Sequence, residues 1–135
     1  MICTFFGHKK LYCDVKHILI DKILYIINTK NVSKFYVGNN GAFDYAVQEA
    51  LETIISNGVN IKYNIILSTL NEKALNGKQS NTLYPEGLEK SLPRFAIYNR
   101  NIWLINNSNY VIAYVADKYS NSYKWIQRAK NKGLI

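Results

Sequence analysis

Cysteine is scarce. Cys3 and Cys13 are the only two in 135 residues, too few for a disulfide framework, and a reduced, cytoplasmic setting is expected. No apolar run approaches the ~20 residues that cross a bilayer as a helix, so no membrane span is expected. The opening MICTFFGHKK lacks a basic region ahead of an apolar stretch and does not read as a signal peptide. Acidic residues are also few, 9 against 17 Lys and Arg. The resulting formal charge of +8 and pI near 9.5 favour anionic partners: nucleotides, nucleic acid or acidic surfaces. Most basic residues are scattered. The one local excess, Lys118, Lys124, Arg128, Lys130 and Lys132, reads as a solvated helix face with charges suited to a helix C-terminus. What is abundant is apolar: the 48% share excludes the disordered class and predicts a single domain, 1–135, with a real core.

The periodicity alternates between two kinds. Residues 2–6, ICTFF, read as a buried first strand ending at Gly7-His8. Asp14 is placed to cap a helix whose face is Val15, Ile18, Leu19, Ile23, Ile26 and Ile27. Phe35–Val37 is a second strand. Phe43, Ala46, Val47, Ala50, Leu51, Ile54 and Ile55 then form an unbroken helical stripe, stopped by Asn57-Gly58. Ile61–Leu67 is a third strand. The connection that follows, through Pro85, Gly87 and Pro93, is long enough to be functional or mobile. Pro93 opens a helix to about Asn106, residues 110–115 are a fourth strand, and Tyr123, Ile126 and Ala129 line a last helix closed by Gly133. Leu134-Ile135 begins a candidate fifth strand. Strands alternating with helices predict an α/β, Rossmann-like three-layer fold, a mostly parallel sheet of four or five strands with helices on both faces.

In such sheets ligands bind at the carboxyl ends of the strands. Here those ends are Gly7-His8-Lys9, Gly38–Asp44, Ser68-Thr69 and Ala116–Ser122. Gly38-Asn39-Asn40-Gly41 follows a strand and opens a helix, where glycine lets a ligand approach the backbone and the first-turn N–H groups favour an anion. Neither GxGxxG nor GxxxxGK[ST] is present. Asp44, in the first turn, either complements the helix dipole or accepts hydrogen bonds from a ribose or base edge. His8 is either structural or a phosphate or proton-transfer group. Arg94 and Arg100 carry forks that suit phosphate. Cys3, His8, Cys13 and His17, spaced C-x4-H-x4-C-x3-H, match no common zinc site, and neither a metal nor another cofactor is expected. Cys13 has no partner motif of a nucleophilic cysteine.

Four segments in order, CysThrPhePheGlyHisLys (3–9), TyrValGlyAsnAsnGlyAlaPheAsp (36–44), ProArgPheAlaIleTyrAsnArgAsn (93–101) and TyrValIleAlaTyrVal (110–115), together resemble the SLOG superfamily. That Rossmann-like group includes the lonely-guy phosphoribohydrolases and the DNA-processing SMF proteins. The chain looks most like its small stand-alone bacterial members of uncharacterised function. The resemblance implies a sheet in the order 3-2-1-4-5 and a nucleotide-type ligand above the strand ends. It carries binding roles onto Gly7, His8, Gly38, Asn39, Gly41, Asp44, Arg94 and Arg100. Related domains bind nucleoside phosphates or NAD-derived messengers in bacterial defence. Two features depart from the pattern. Ser120-Asn121-Ser122 stand where close relatives have Gly-Gly, and either narrow the phosphate end of the pocket or donate hydrogen bonds there. The lonely-guy Pro-Gly-Gly-x-Gly-Thr motif is absent.

The expected function is therefore binding of a nucleotide or nucleotide-derived ligand, as a receptor or sequestering protein rather than an enzyme. The alternative is hydrolysis of an N-glycosidic bond, with Asp44 beside the ribose and Glu86 and Glu89 closing over it. A third reading is single-strand nucleic-acid binding through charge and tyrosine stacking. Trp103, Tyr98, Trp125 and Tyr123 offer more aromatic surface than one small core needs, which predicts a homodimer or larger symmetric assembly.

Overall fold

Where a parallel sheet is covered on both faces, its strands read as continuous apolar runs rather than as alternation. The chain follows that rule. The computed structural model describes residues 1–11, 13–68, 82–85, 93–115, 121–131 and 133, without the side chains of 93, 121 and 122. In chain order the elements are β1 (Ile2–Gly7), α1 (Lys16–Lys30), β2 (Lys34–Val37), α2 (Ala42–Ser56), β3 (Lys62–Ile66), β4 (Thr82–Leu83), a 3-10 turn (Pro93–Phe95), α3 (Ala96–Asn106), β5 (Tyr110–Tyr114) and α4 (Asn121–Asn131). All strand pairings are parallel, in the order β4-β3-β2-β1-β5.

Alternate side chains divide between two cores. Cys3 and Phe5 of β1, Phe35 and Val37 of β2 and Tyr63 and Ile65 of β3 meet α1 and α2 on one face. On the other, Phe6, Tyr36 and Ile66 meet Leu104 and Ile105 of α3 and Ala129 of α4. The result is the three-layer, Rossmann-like α/β fold. Thr4 is the polar interruption in β1. It is fully buried, and its hydroxyl donates to the Tyr36 carbonyl at 3.0 Å, so no donor is stranded.

The four-strand centre agrees with the order that the family resemblance implies, but the fifth strand does not. It lies within the long connection, where Thr82 and Leu83 pair with Ile65 and Ile66 on the outer edge of β3. Two residues are too few to carry a periodicity. The candidate strand at 134–135 lies outside the described residues.

Two helix faces also need correction. In α1 the buried residues are Leu19, Ile23 and Ile26, whereas Ile18 is 59% exposed. Steps of four and three fix the inward line, and Ile18 lies about 100° off it. Asp14 does accept the Lys16 N–H, at 3.0 Å, although Val15 is the residue at the helix boundary. In α4 the inward residues are Trp125, Ile126 and Ala129, and Tyr123 points out. The α2 stripe is as expected: Phe43, Val47, Ala50, Leu51 and Ile54 are buried, flanked by Ala46 and Ile55. Both tryptophans are largely committed to the sheet. Trp103 packs on Tyr36 with ring centres 5.1 Å apart, and Trp125 stacks on Phe6 at 6.2 Å.

The α1 assignment has a direct consequence. Ile23→Ala should cost about 2–5 kcal/mol, while Ile18→Ala should stay within about 0.5 kcal/mol of the unmodified protein. Equilibrium denaturation with urea measures both, and equal losses would contradict the inward face drawn here.

Candidate functional site

From β1 the chain winds outward through β2 and β3 to β4, then returns to place β5 on the other side of β1. The carboxyl ends beside that reversal are where an open parallel sheet leaves a crevice. A cleft of about 380 Å³ is found there. Its floor comes from the end of β1 (Gly7, His8, Lys9) and from the β2–α2 loop (Gly38, Asn40, Asp44). Its outer wall is Ile97, Arg100, Asn101 and Leu104 of α3 with Trp125 of α4.

The β2–α2 loop is held by the helix it opens. The Asp44 carboxylate accepts the Asn40 N–H at 2.9 Å, the Tyr45 hydroxyl donates to the Asn39 carbonyl at 3.3 Å, and the Gln48 amide donates to the Gly38 carbonyl at 3.1 Å. A backbone bond from the Ala42 N–H to the Lys9 carbonyl, 2.8 Å, ties this loop to the end of β1. Two donors that the sequence left for a ligand, those of Asn40 and Ala42, are thus already paired. The loop is set in shape before any ligand arrives.

The glycines serve the same bracing. A β-carbon on Gly38 would lie 2.7 Å from both Arg100 Nη1 and Asp44 Oδ2. Gly41 has φ +156° with ψ −178°, a region open essentially to glycine alone, and a β-carbon there would lie 2.7 Å from the Lys9 Cα. The space a β-carbon would take at these residues is filled by the protein itself, while Gly38 still lines the cleft.

Arg100 is the unusual group. It is only 4% exposed, and side chains of this type are almost never fully buried unless paired. Its Nε donates to Asn101 Oδ1 at 3.1 Å, and its Nη1 reaches the Ile66 carbonyl at the end of β3 at 3.5 Å. Asp44 faces it across Gly38. Burial pushes the Asp44 carboxyl above its ordinary 3.8, and the Arg100 charge and the Asn40 N–H pull it partly back. Burial likewise lowers Arg100, opposed by Asp44. An arginine stays protonated in proteins, so the cleft wall carries a fixed positive charge in a poorly solvated place.

The structure therefore brings together Gly7, His8, Lys9, Gly38, Asn40, Asp44 and Arg100. His8 meets the Tyr114 ring edge-on at 5.5 Å, and Lys9 is exposed at the rim. Asn39 and Gly41 shape the loop from behind without lining the cleft. Arg94 is exposed, with its guanidinium 4.8 Å from the Phe95 ring, and is not brought to the cleft. Arg94 lies in the 3-10 turn that precedes α3, so the two arginines do not stand on one helix face. Ser120, Thr69, Glu86 and Glu89 lie outside the described residues, as do the side chains of Asn121 and Ser122, whose backbone starts α4. Sequence reasoning missed Asn101, Ile97 and Trp125 as cleft residues, although Asn101 and Ile97 both stood within the quoted segment 93–101. Among the described residues no three His, Cys, Asp or Glu side chains are grouped to hold a metal ion. Cys3 is fully buried, with its thiol pKa raised by burial, while Cys13 and His17 are exposed. No helix among the described residues is long and apolar enough to cross a membrane.

No protein-family model and no curated protein matches the chain.

The burial of Asp44, only partly offset by the Arg100 charge, predicts a pH dependence. As pH rises past 3.8 the unfolded chain loses the Asp44 proton first, so the Asp44 contribution to stability declines until the folded-state carboxyl ionises too. Asp44→Asn should remove that decline, and Arg100→Gln should raise the Asp44 pKa further. Carbon-13 NMR titration of the side-chain carboxyls measures the pKa. A value at or below 3.8 in the unmodified protein would contradict the assigned burial.

Proposed function

We propose that the chain binds a nucleotide or nucleotide-derived ligand in this cleft, as a receptor or sequestering protein. The observation that carries the reading is the buried Arg100 guanidinium in the wall of a cleft that also offers Lys9, the Asp44 carboxylate and an apolar side formed by Ile97, Leu104 and Trp125. These match the three parts of a phosphorylated nucleoside: cations for phosphate, acceptors for ribose hydroxyls, and a flat apolar wall for a base. Lys9 and Arg100 outnumber Asp44, so the cleft favours an anion. The four segments that resemble the SLOG superfamily include both floor loops and the Arg100 helix, which supports the same reading.

Asp44 argues for binding over catalysis. One of its oxygens already accepts the Asn40 N–H, and Arg100 faces the carboxylate. A carboxylate engaged this way is a brace and a hydrogen-bond acceptor before it is a group that stabilises charge on a ribose.

A ligand bound only by the folded state stabilises it by about 2.7 kcal/mol at a hundred times its Kd. ATP, ADP-ribose, NAD and cyclic dinucleotides, screened by thermal denaturation, should include at least one that raises Tm. Lys9→Ala, at an exposed position, should weaken that ligand about tenfold while leaving the corresponding unphosphorylated nucleoside unchanged. No shift with any phosphorylated nucleoside at millimolar concentration would overturn the proposal. Overnight incubation with excess nucleotide should return it intact by liquid chromatography. Base release that disappears in Asp44→Asn, with binding retained, would establish the hydrolase instead.

A further inference from the structure

The cleft does not end at Trp125. A second groove of about 360 Å³ shares Ile97 and Trp125 with it and runs on between α3 and α4, walled by Tyr98, Lys124 and Arg128. Its side chains are held in a fixed arrangement. Arg128 Nη1 donates to the Tyr98 hydroxyl at 2.7 Å, and the guanidinium carbon lies 5.4 Å from the Tyr98 ring centre and 5.7 Å from that of Trp125. The two rings pack against each other at 5.1 Å, tilted by 56°, and Trp125 is backed in turn by Phe6. Neither α3 nor α4 contains an Asp or a Glu, so no acid on the helices forming the groove offsets Lys124 and Arg128.

A solvated basic helix face needs none of this order. Two cations beside two fixed aromatic rings, unopposed by acid, suit a flat ring that stacks together with a phosphate that is neutralised. Continuity with the cleft places that second ring-and-phosphate unit within reach of a first one. We propose that the groove takes the second half of a two-base nucleotide, two nucleosides joined through phosphate, whose first half occupies the cleft. This rests on the nucleotide reading of the cleft and adds the ligand class. Two linkages share the chemistry, a linear pyrophosphate-bridged dinucleotide and a cyclic one, and the groove acts on either through the same contacts. Joining two weakly bound units turns the second binding event into an intramolecular one, so the two-base ligand gains affinity over either half.

The chain has two tryptophans, and Trp103 faces Tyr36 rather than the groove. Trp103→Phe therefore leaves Trp125 as the sole indole emitter. Its fluorescence is titrated with AMP, with NAD as the linear probe and with cyclic di-AMP as the cyclic one; calorimetry on the unmodified protein gives the same affinities independently. At least one two-base probe should bind tenfold or more tighter than AMP and quench Trp125, and the probe that gains identifies the linkage. Arg128→Gln combined with Lys124→Glu should erase that advantage while AMP affinity stays within twofold; Lys124→Glu alone, at an exposed position, should erase part of it. Two-base probes no tighter than AMP, or variants that weaken AMP and two-base probes equally, would overturn the groove and leave the cleft standing. Absence of binding by AMP and both two-base probes would overturn the two together.

Discussion

A guanidinium buried at the ends of parallel strands must find acceptors there, because an unpaired buried charge costs more than the fold can readily offset. Arg100 finds them in the Ile66 carbonyl and the Asn101 side chain, with the Asp44 charge close by. That single requirement explains several others. Gly38 must lack a β-carbon because Arg100 and Asp44 close over it from two sides. Asp44 must sit in the first turn of α2, where it also receives the Asn40 N–H. The end of β3 is drawn into the same set through its last carbonyl. Three elements from both sides of the sheet are thereby locked at the edge where the cleft opens.

The loops beside the cleft owe their shape to internal bonds rather than to emptiness. Asn40, Ala42, Gly38 and Asn39 all have backbone groups committed to neighbours within the protein. A loop braced in this way costs little further entropy when a ligand binds. What remains for recognition is side-chain chemistry: Lys9 at the rim, the field of Arg100, and the apolar surface of α3 and α4.

Much of this was legible in the sequence because it rests on long, strongly periodic segments. The α2 stripe, the buried β1 run and the two glycine-bearing strand ends were all readable, and with them the layer order and most of the cleft floor. What was not legible came from tertiary geometry. A two-residue β4 has no period, and Ile18 stands three residues after the buried Val15 while lying off the inward line. Arg94 and Arg100 looked equivalent in the sequence, but Arg94 falls in the exposed 3-10 turn before α3 and Arg100 is buried within the helix. Trp125 and Asn101 enter the cleft only because α3 and α4 pack side by side on one face, which no local pattern records. Gly38 and Gly41 were found for a reason that proved incomplete: ligand approach was expected, and close internal packing is what the structure displays.

The nucleotide reading places phosphorylated nucleosides in the cleft organised by Arg100. Amide chemical shifts, followed by NMR as nucleotide is added, report on it residue by residue. Saturable shifts at Gly7, His8, Lys9, Gly38 and Asn40, with the exposed α1 positions Ile18 and Tyr25 unmoved, are the predicted result. Shifts spread over the surface lysines that vanish as salt is raised, with the cleft amides unmoved, would contradict it.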